Sequence, residues 1–180
     1  MTETIFVNEN LSLTPFQPGD KANLVQYLND PVVYRNTLRV PFPYTDKDAD
    51  EWLQVQVYER REQLGREANW AIRHSKHGLI GGIGCFWKTG LDGHSDEIGY
   101  WLAKPWRGQG LMGAAVVAFS DWLFATRPAL VRLEAIVFAH NPASGRVLVK
   151  AGYEQEGYLR KLYVKDGAYL DAVIWAKIRE

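Results

Sequence analysis

The segment Pro105-Trp-Arg-Gly-Gln-Gly-Leu-Met-Gly113 carries the densest chemical signal in the chain. Main-chain N–H groups at a helix N-terminus, with the helix dipole behind them, bind phosphate oxygens, and glycines let the backbone approach such a ligand closely. Arg107-Gly-Gln-Gly110 precedes a long apolar helical pattern and so points to a pyrophosphate-binding turn, in which Arg107 either adds charge or braces the loop. A competing interpretation takes Gly108, Gly110 and Gly113 as GxGxxG, with Glu134 near the offset of the ribose-binding acid of a dinucleotide fold. Architecture argues against it. A dinucleotide glycine turn follows its strand directly, whereas Lys104-Pro-Trp-Arg107 intervenes here, and the motif comes too late to leave chain for the remaining βαβ units. Glu134 lies between Leu133 and Ala135 in an alternating segment and would face away from both. Two glycines at a helix entrance are also costly if they serve no ligand.

Other reactive residue types are sparse. Cys85 is the only cysteine, which excludes an internal disulfide, a four-thiolate zinc site and a CxxC redox pair, and fits a reducing, cytoplasmic setting. Cys85 itself reads as a small buried hydrophobe. His74 and His77 are neighbours, His94 and His140 stand apart, and none has a cysteine or carboxylate cluster at ligand spacing, so no metal is expected. The charge balance, 21 Lys+Arg against 21 Asp+Glu, offers no excess of cations for a nucleic-acid backbone. The N-terminus lacks the basic region of a secretory signal. The longest apolar stretch, Leu111 to Ala125, is too short to span a bilayer and includes Ser120 and Asp121. A 180-residue chain that is 47% hydrophobic, without repeats or linkers, is expected to form one globular domain over residues 1–180. It is expected to be a monomer or homodimer.

The elements that must position these residues follow from periodicity. Ile5 to Phe16 reads as a first strand with Leu11, Leu13 and Phe16 inward, and Asp20 as the cap of a helix that Asp30-Pro31 stops. A short helix over Val32 to Asn36 leads to the loop Val40-Pro-Phe-Pro-Tyr44, and Thr45 with Asp48 has capping-box spacing for a helix reaching Gly65. Asn69 to His74 and Leu79 to Trp87 read as a hairpin, and Glu97 to Ala103 as a further strand. Gly108 to Thr126 reads as a helix, Val131 to Phe138 as a strand, and Asn141 to Ala151 as a helix closed by Gly152. Tyr153 to Tyr163 and Tyr169 to Ile178 form a last pair of strands. The order, roughly βααα-βββ-α-β-α-ββ, implies a mixed α/β sheet.

These pieces together resemble a known family. Glu97-Ile-Gly-Tyr-Trp-Leu-Ala-Lys-Pro-Trp-Arg-Gly-Gln-Gly110, the helix after it, Asn141-Pro-Ala-Ser144 and Lys150-Ala-Gly-Tyr153 with Glu156-Gly157 are similar to the GNAT N-acetyltransferase superfamily, in particular its ribosomal-protein (RimJ/RimL-type) branch. Leu11-Ser-Leu-Thr-Pro-Phe16 and Pro41-Phe-Pro-Tyr44 extend the likeness over nearly the whole chain. Of the family pattern (Q/R)-x-x-G-x-(G/A), Arg107 and Gly110 match, while Met112 replaces the last small residue.

The resemblance implies a central sheet of about seven strands flanked by helices, with two of the strands splayed to admit acetyl-coenzyme A. It assigns the pyrophosphate to Arg107, Gly108, Gln109, Gly110, Leu111, Met112 and Gly113, the pantetheine to the main chain of Trp101 and Leu102 and to Asn141, and an oxyanion donor to an N–H near Leu102. It implies transfer of acetyl to a primary amine: a protein or peptide N-terminus first, with a polyamine or antibiotic amine as the alternative and a non-catalytic coenzyme A-binding module as a further one. An α-amine with pKa near 8 is about a tenth deprotonated at pH 7, and a lysine less than about a thousandth, so a general base helps the first and is nearly essential for the second. Glu97 is the candidate base, through water; its other role would be an ordinary strand carboxylate. Many relatives carry a leaving-group tyrosine where Leu148 stands; in this branch a serine three residues after the Asn, here Ser144, hydrogen-bonds the sulfur instead. Asn141 can also cap its helix. Tyr163 stands where related enzymes can carry a catalytic glutamate. Tyr34, Arg35, Phe42, Tyr44, Trp87 and Tyr163 either line an aromatic acceptor cleft or belong mostly to the core, and Asp46, Asp48 and Glu51 either attract an amine or form a capped helix face.

Overall fold

In the computed structural model, which describes residues 3–180, the single N-terminal strand expected from the sequence is two. Asn8-Glu-Asn10 breaks it: the Asn10 N–H donates to Asn8 Oδ1 at 2.9 Å, and this local turn folds β1 (Ile5–Asn8) back antiparallel on β2 (Leu11–Pro15). Alternation in β2 buries Leu11 and Leu13, as its period of two requires.

The described residues form two compact units. One comprises the chain up to Gly84 together with Tyr100–Leu111, and the other comprises Cys85–Gly99 and Met112–Glu180. In the first, β2 pairs antiparallel with β3 (Asn69–His74), which pairs antiparallel with β4 (Gly78–Cys85). Its helices are α1 (Lys21–Leu28), α2 (Pro31–Asn36), α3 (Asp46–Glu51), a wider π-helical stretch over Trp52–Glu59, and α4 (Arg60–Leu64), which ends at Gly65 in the left-handed conformation. Phe16, Leu24, Leu28, Val33, Tyr44, Leu53 and Val57 form the core beneath them. Thr45 and Asp48 make the expected capping box, with the Thr45 N–H donating to Asp48 Oδ2 at 2.7 Å. Asp20 does not cap α1 through its side chain. Its carboxylate accepts from the Gln17 N–H and from both Nη atoms of Arg73, at 2.8, 2.7 and 2.6 Å, because a buried charge is tolerated only when fully partnered.

The second unit has a mixed sheet. Strand β5 (Ser95–Leu102) enters it through Ser95–Gly99 and pairs in parallel with β6 (Arg132–Phe138) over Ser95, Asp96 and Glu97. Strand β6 pairs antiparallel with β8 (Ala168–Ile178) from Arg132 to Phe138. Strand β7 (Glu154–Lys165) pairs antiparallel with β8. Helix α5 (Leu111–Thr126) buries Ala115, Val116, Phe119 and Leu123, a stripe at helical spacing. Met112 is also buried, at 6% exposure, so the bulk that replaces a small residue of the family pattern lies in packing. Helix α6 (Pro142–Lys150) carries Gly145 so close to Trp175 that a Cβ there would come within 2.9 Å of the indole.

Candidate active site

The glycine loop belongs to the first unit. After β5 a short 3-10 turn, Lys104–Trp106, is followed by Gly108 and Gly110 at φ +78° and +79°, values that only glycine adopts without strain. Ideal Cβ atoms built on Gly108, Gly110 and Gly113 would have no neighbour within 4 Å. Among the described residues, the main-chain N–H groups of Gly108, Gln109 and Gly110 donate to no main-chain carbonyl. Open space beside unpartnered amides suits an anionic ligand, and these residues fit a pyrophosphate. The Gln109 side chain folds back, donating from Nε2 to Pro105 O at 2.9 Å.

The side chain of Arg107 turns back on the protein. Its Nε donates to Leu102 O at 2.8 Å and its Nη2 forms an ion pair with Asp30 Oδ2 at 2.8 Å. Trp106 is held by a triangle of rings, with His74, His77 and Trp106 each 4.9 Å from the other two. Upstream, Trp101 lies over Gly82, where a Cβ would meet the indole Nε1 at 2.6 Å, and Trp101 O sits 2.6 Å from the Cβ position of Gly81. The two glycines of β4 make that approach possible. The Ala103 N–H is committed to Ile80 O at 2.9 Å; since successive strand amides point to opposite edges, that of Leu102 points away from β4.

The second unit holds the remaining candidates. Glu97 is partly exposed on β5, directly after Asp96, which is fully buried. Asp96 Oδ1 accepts from the Glu97 N–H at 2.9 Å, and its Oδ2 accepts from the Lys88 N–H at 3.2 Å and from Arg127 Nη1. Arg127 also donates to Lys88 O at 2.7 Å and lies 4.6 Å from the Trp87 ring centre. This buried pair fixes the main chain from which Glu97 projects. At the start of α6, Asn141 Oδ1 accepts from the Ser144 N–H at 3.3 Å, which is the cap expected of it, and Ser144 is partly exposed on the first turn. Tyr163 sits edge-on to Phe138 with ring centres 5.6 Å apart.

The aromatic acceptor candidates separate. Tyr34 and the exposed Phe42 face each other at 5.9 Å, and Arg35 is exposed beside them on α2. Tyr44 and Trp87 are buried, at 4% and 7% exposure, so neither presents a ring to a cleft. Tyr44 is anchored by its N–H donating to Asn29 Oδ1 at 2.8 Å, and burial pushes its phenol well above the ordinary range. Trp87, at φ +57°, packs with Trp122 and Arg127. The acids divide as a helix face: Asp46 and Asp50 lie 3.6 and 2.7 Å from Lys21 Nζ, and hydrogen bonds from Thr45 hold the Asp48 carboxyl below its usual range. Glu134, the acid of the rejected dinucleotide interpretation, pairs with Arg132 at 2.6 Å. Sequence reasoning missed Asp30, Asp96 and Arg127. Only Asp30 had a local signal, its place before Pro31, and that marks a cap.

The Acetyltransferase (GNAT) domain family matches residues 10–154, a span that takes in residues of both units. The chain belongs to the GNAT acetyltransferases. It is 29% identical over 183 residues to the SPbeta prophage-derived uncharacterized N-acetyltransferase YokL of Bacillus subtilis (strain 168), covering 100% of this chain and 96% of that protein. It is 29% identical over 180 residues to the ribosomal-protein-serine acetyltransferase of Escherichia coli (strain K12), covering 99% and 98%. Among solved structures, RimL, a ribosomal α-N-protein acetyltransferase in complex with coenzyme A, superposes with a TM-score of 0.83 at 20% identity over 98% of each chain. This GNAT chain thus has the mixed α/β fold of the family. Among the described residues no helix is long and apolar enough to cross a membrane, and no group of three His, Cys, Asp or Glu stands ready to hold a metal.

Proposed function

We propose that this GNAT acetyltransferase uses acetyl-coenzyme A to acetylate the α-amine of a protein or peptide N-terminus. The observation that carries the cofactor assignment is the open, left-handed Gly108-Gln109-Gly110 turn with its unpartnered amides at the start of α5. Bound there, acetyl-coenzyme A supplies the acetyl group as a thioester. The turn amides, from Gly108 toward Gly113, hold pyrophosphate oxygens against the positive end of the α5 dipole. Trp101 and Leu102 lie along the pantetheine by resemblance; Trp101 O is set against Gly81 and Leu102 O is taken by Arg107, which leaves the Leu102 N–H to stabilise the developing oxyanion, a contact worth about 10²- to 10³-fold where it has been removed. Asn141 contributes its amide, and Ser144 a hydroxyl that hydrogen-bonds the departing sulfur. Glu97, on main chain fixed by Asp96, takes the proton of the acceptor amine through water.

An α-amine is favoured over a lysine by the base available. Tyr163 replaces the glutamate that related enzymes can carry, and an acceptor already about a tenth deprotonated at pH 7 asks least of a single carboxylate. The name of the Escherichia coli relative, an acetyltransferase of ribosomal-protein serine, supports the same class. Tyr34, Arg35 and Phe42 supply an exposed acceptor-side surface. The test is thiol release from acetyl-coenzyme A with peptides beginning Ser, Ala or Thr, alongside spermidine, aminoglycosides and free amino acids. Turnover confined to the peptides is the expected result. Turnover on a polyamine or aminoglycoside alone transfers the assignment to small amines, and binding of coenzyme A without turnover on any amine overturns it in favour of a binding module.

A further inference from the structure

We propose that Asp30 is a positioning residue for coenzyme A: it clamps the glycine loop through Arg107, and the Arg107 guanidinium is a brace that touches no phosphate. The inference rests on the coenzyme A assignment and adds a residue remote in sequence from the loop. One donor of the guanidinium is spent inside the protein, Nε on Leu102 O at 2.8 Å, and Nη2 forms an ion pair with Asp30 Oδ2 at 2.8 Å. Asp30 is fixed from its other oxygen, because Oδ1 accepts from the Val32 N–H at 2.8 Å as the cap of α2, whose first residue is Pro31. The Asp30 side chain is 12% exposed and that of Arg107 32%, so the pair is partly shielded from water. One arginine therefore joins three pieces of chain: the end of β5, the glycine loop and the start of α2.

The electrostatics follow. A lone carboxylate near a pyrophosphate would repel it, and a lone arginine would attract it; paired, they nearly cancel, which leaves recognition to the loop amides. The pair's contribution is to hold Gly108 and Gly110 in the left-handed conformation that presents those amides. A loop organised before binding spends less of its interaction energy on ordering.

The two roles for Arg107 predict opposite signs for one substitution. Asp30→Asn removes the charge while asparagine still caps α2. As a clamp residue, Asp30→Asn weakens coenzyme A binding measured by calorimetry by about fivefold, the scale of a partly exposed ion pair. Arg107→Met weakens it comparably, and the double variant loses little more than the worse single one. Were Arg107 a phosphate ligand, Asp30→Asn would free its guanidinium and remove a negative charge, so binding equal to or tighter than that of the unaltered protein, or additive losses, overturns the proposal. Amide hydrogen exchange on the ligand-free protein gives a second readout. Faster exchange at the amides of residues 106 and 107, which donate to Ala103 O and Lys104 O, is expected in both single variants with melting unchanged, and unchanged exchange also overturns it. If the unaltered protein binds no coenzyme A, the cofactor assignment fails by itself, while the exchange rates still decide the clamp.

Discussion

The glycine loop of the first unit and the Glu97 and Ser144 positions of the second are built on different principles. In the proposed function the loop contributes main chain: its side chains fold back, Gln109 onto Pro105 O and Arg107 onto Leu102 O and Asp30, and its glycines stand beside open space. The second unit is proposed to contribute side chains, and its main chain is what must be immobilised. Asp96 and Arg127 immobilise β5 beneath Glu97, and Asn141 fixes the first turn of α6 beneath Ser144. Backbone recognition depends on conformation, whereas side-chain chemistry depends on identity and pKa. The two regions should therefore fail differently when altered.

The largest failure is expected in the loop. Gly110→Asp forces a side chain into the left-handed region, at about 1–2 kcal/mol, and sets a carboxylate beside phosphates, at several kcal/mol more for charges about 4 Å apart near a surface. Coenzyme A affinity should fall by more than about a thousandfold; calorimetry showing an unaltered constant would remove the loop from the cofactor site. Glu97→Gln should lower turnover by about a hundredfold or more at pH 7 and leave coenzyme A affinity alone. The deficit should shrink as pH rises toward the amine pKa, where the acceptor deprotonates unaided. A loss that is uniform with pH would make Glu97 a structural carboxylate like its neighbour.

Ser144→Ala sharpens the contrast further. Loss of one hydrogen bond to a charged sulfur corresponds to about ten- to a hundredfold in turnover, with affinity for coenzyme A nearly unchanged. Equal losses in both would make Ser144 a binding residue, and the second unit would then work partly as the first does. The smallest effect belongs to a surface pair outside both regions. The Arg132 guanidinium, hydrogen-bonded to Glu156, holds that carboxyl below its usual range. A depressed folded-state pKa contributes stability that is present above the unfolded value, near 4.3, and lost as pH falls through the folded one. Glu156→Gln should thus lower the melting temperature slightly at pH 7, and the difference should close in acid. A gap that persists in acid would assign Glu156 a packing role instead.

Legibility in the sequence followed the same division. The Arg107 to Gly110 turn could be found because left-handed backbone at a helix start demands glycine, and glycine is visible in a sequence. The capping pairs at Thr45 and Asn141 were legible for a similar reason, since a cap is a local hydrogen bond between near neighbours. Helices and strands with clear periodicity fell close to their expected bounds. The break at Asn8-Glu-Asn10 was missed because apolar content runs through it, and the π-helical stretch at Trp52–Glu59 because its apolar pattern resembles that of an α-helix. The burial of Tyr44 and Trp87 was not legible, because an aromatic ring suits a cleft and a core equally well.

What this sequence determined by itself is what local chemistry determines: the helix-start glycines, the caps, the alternation of its strands and, through their order, membership of the family. The tertiary structure alone decided the partners of three arginines. Arg107 meets Asp30, Arg127 meets Asp96, and Arg73 meets Asp20, and each pair joins residues far apart along the chain. No spacing rule encodes such a pair, because a guanidinium fits any carboxylate that folding delivers to it. Whether it then braces a loop or binds a ligand depends on how much of its fork is already taken.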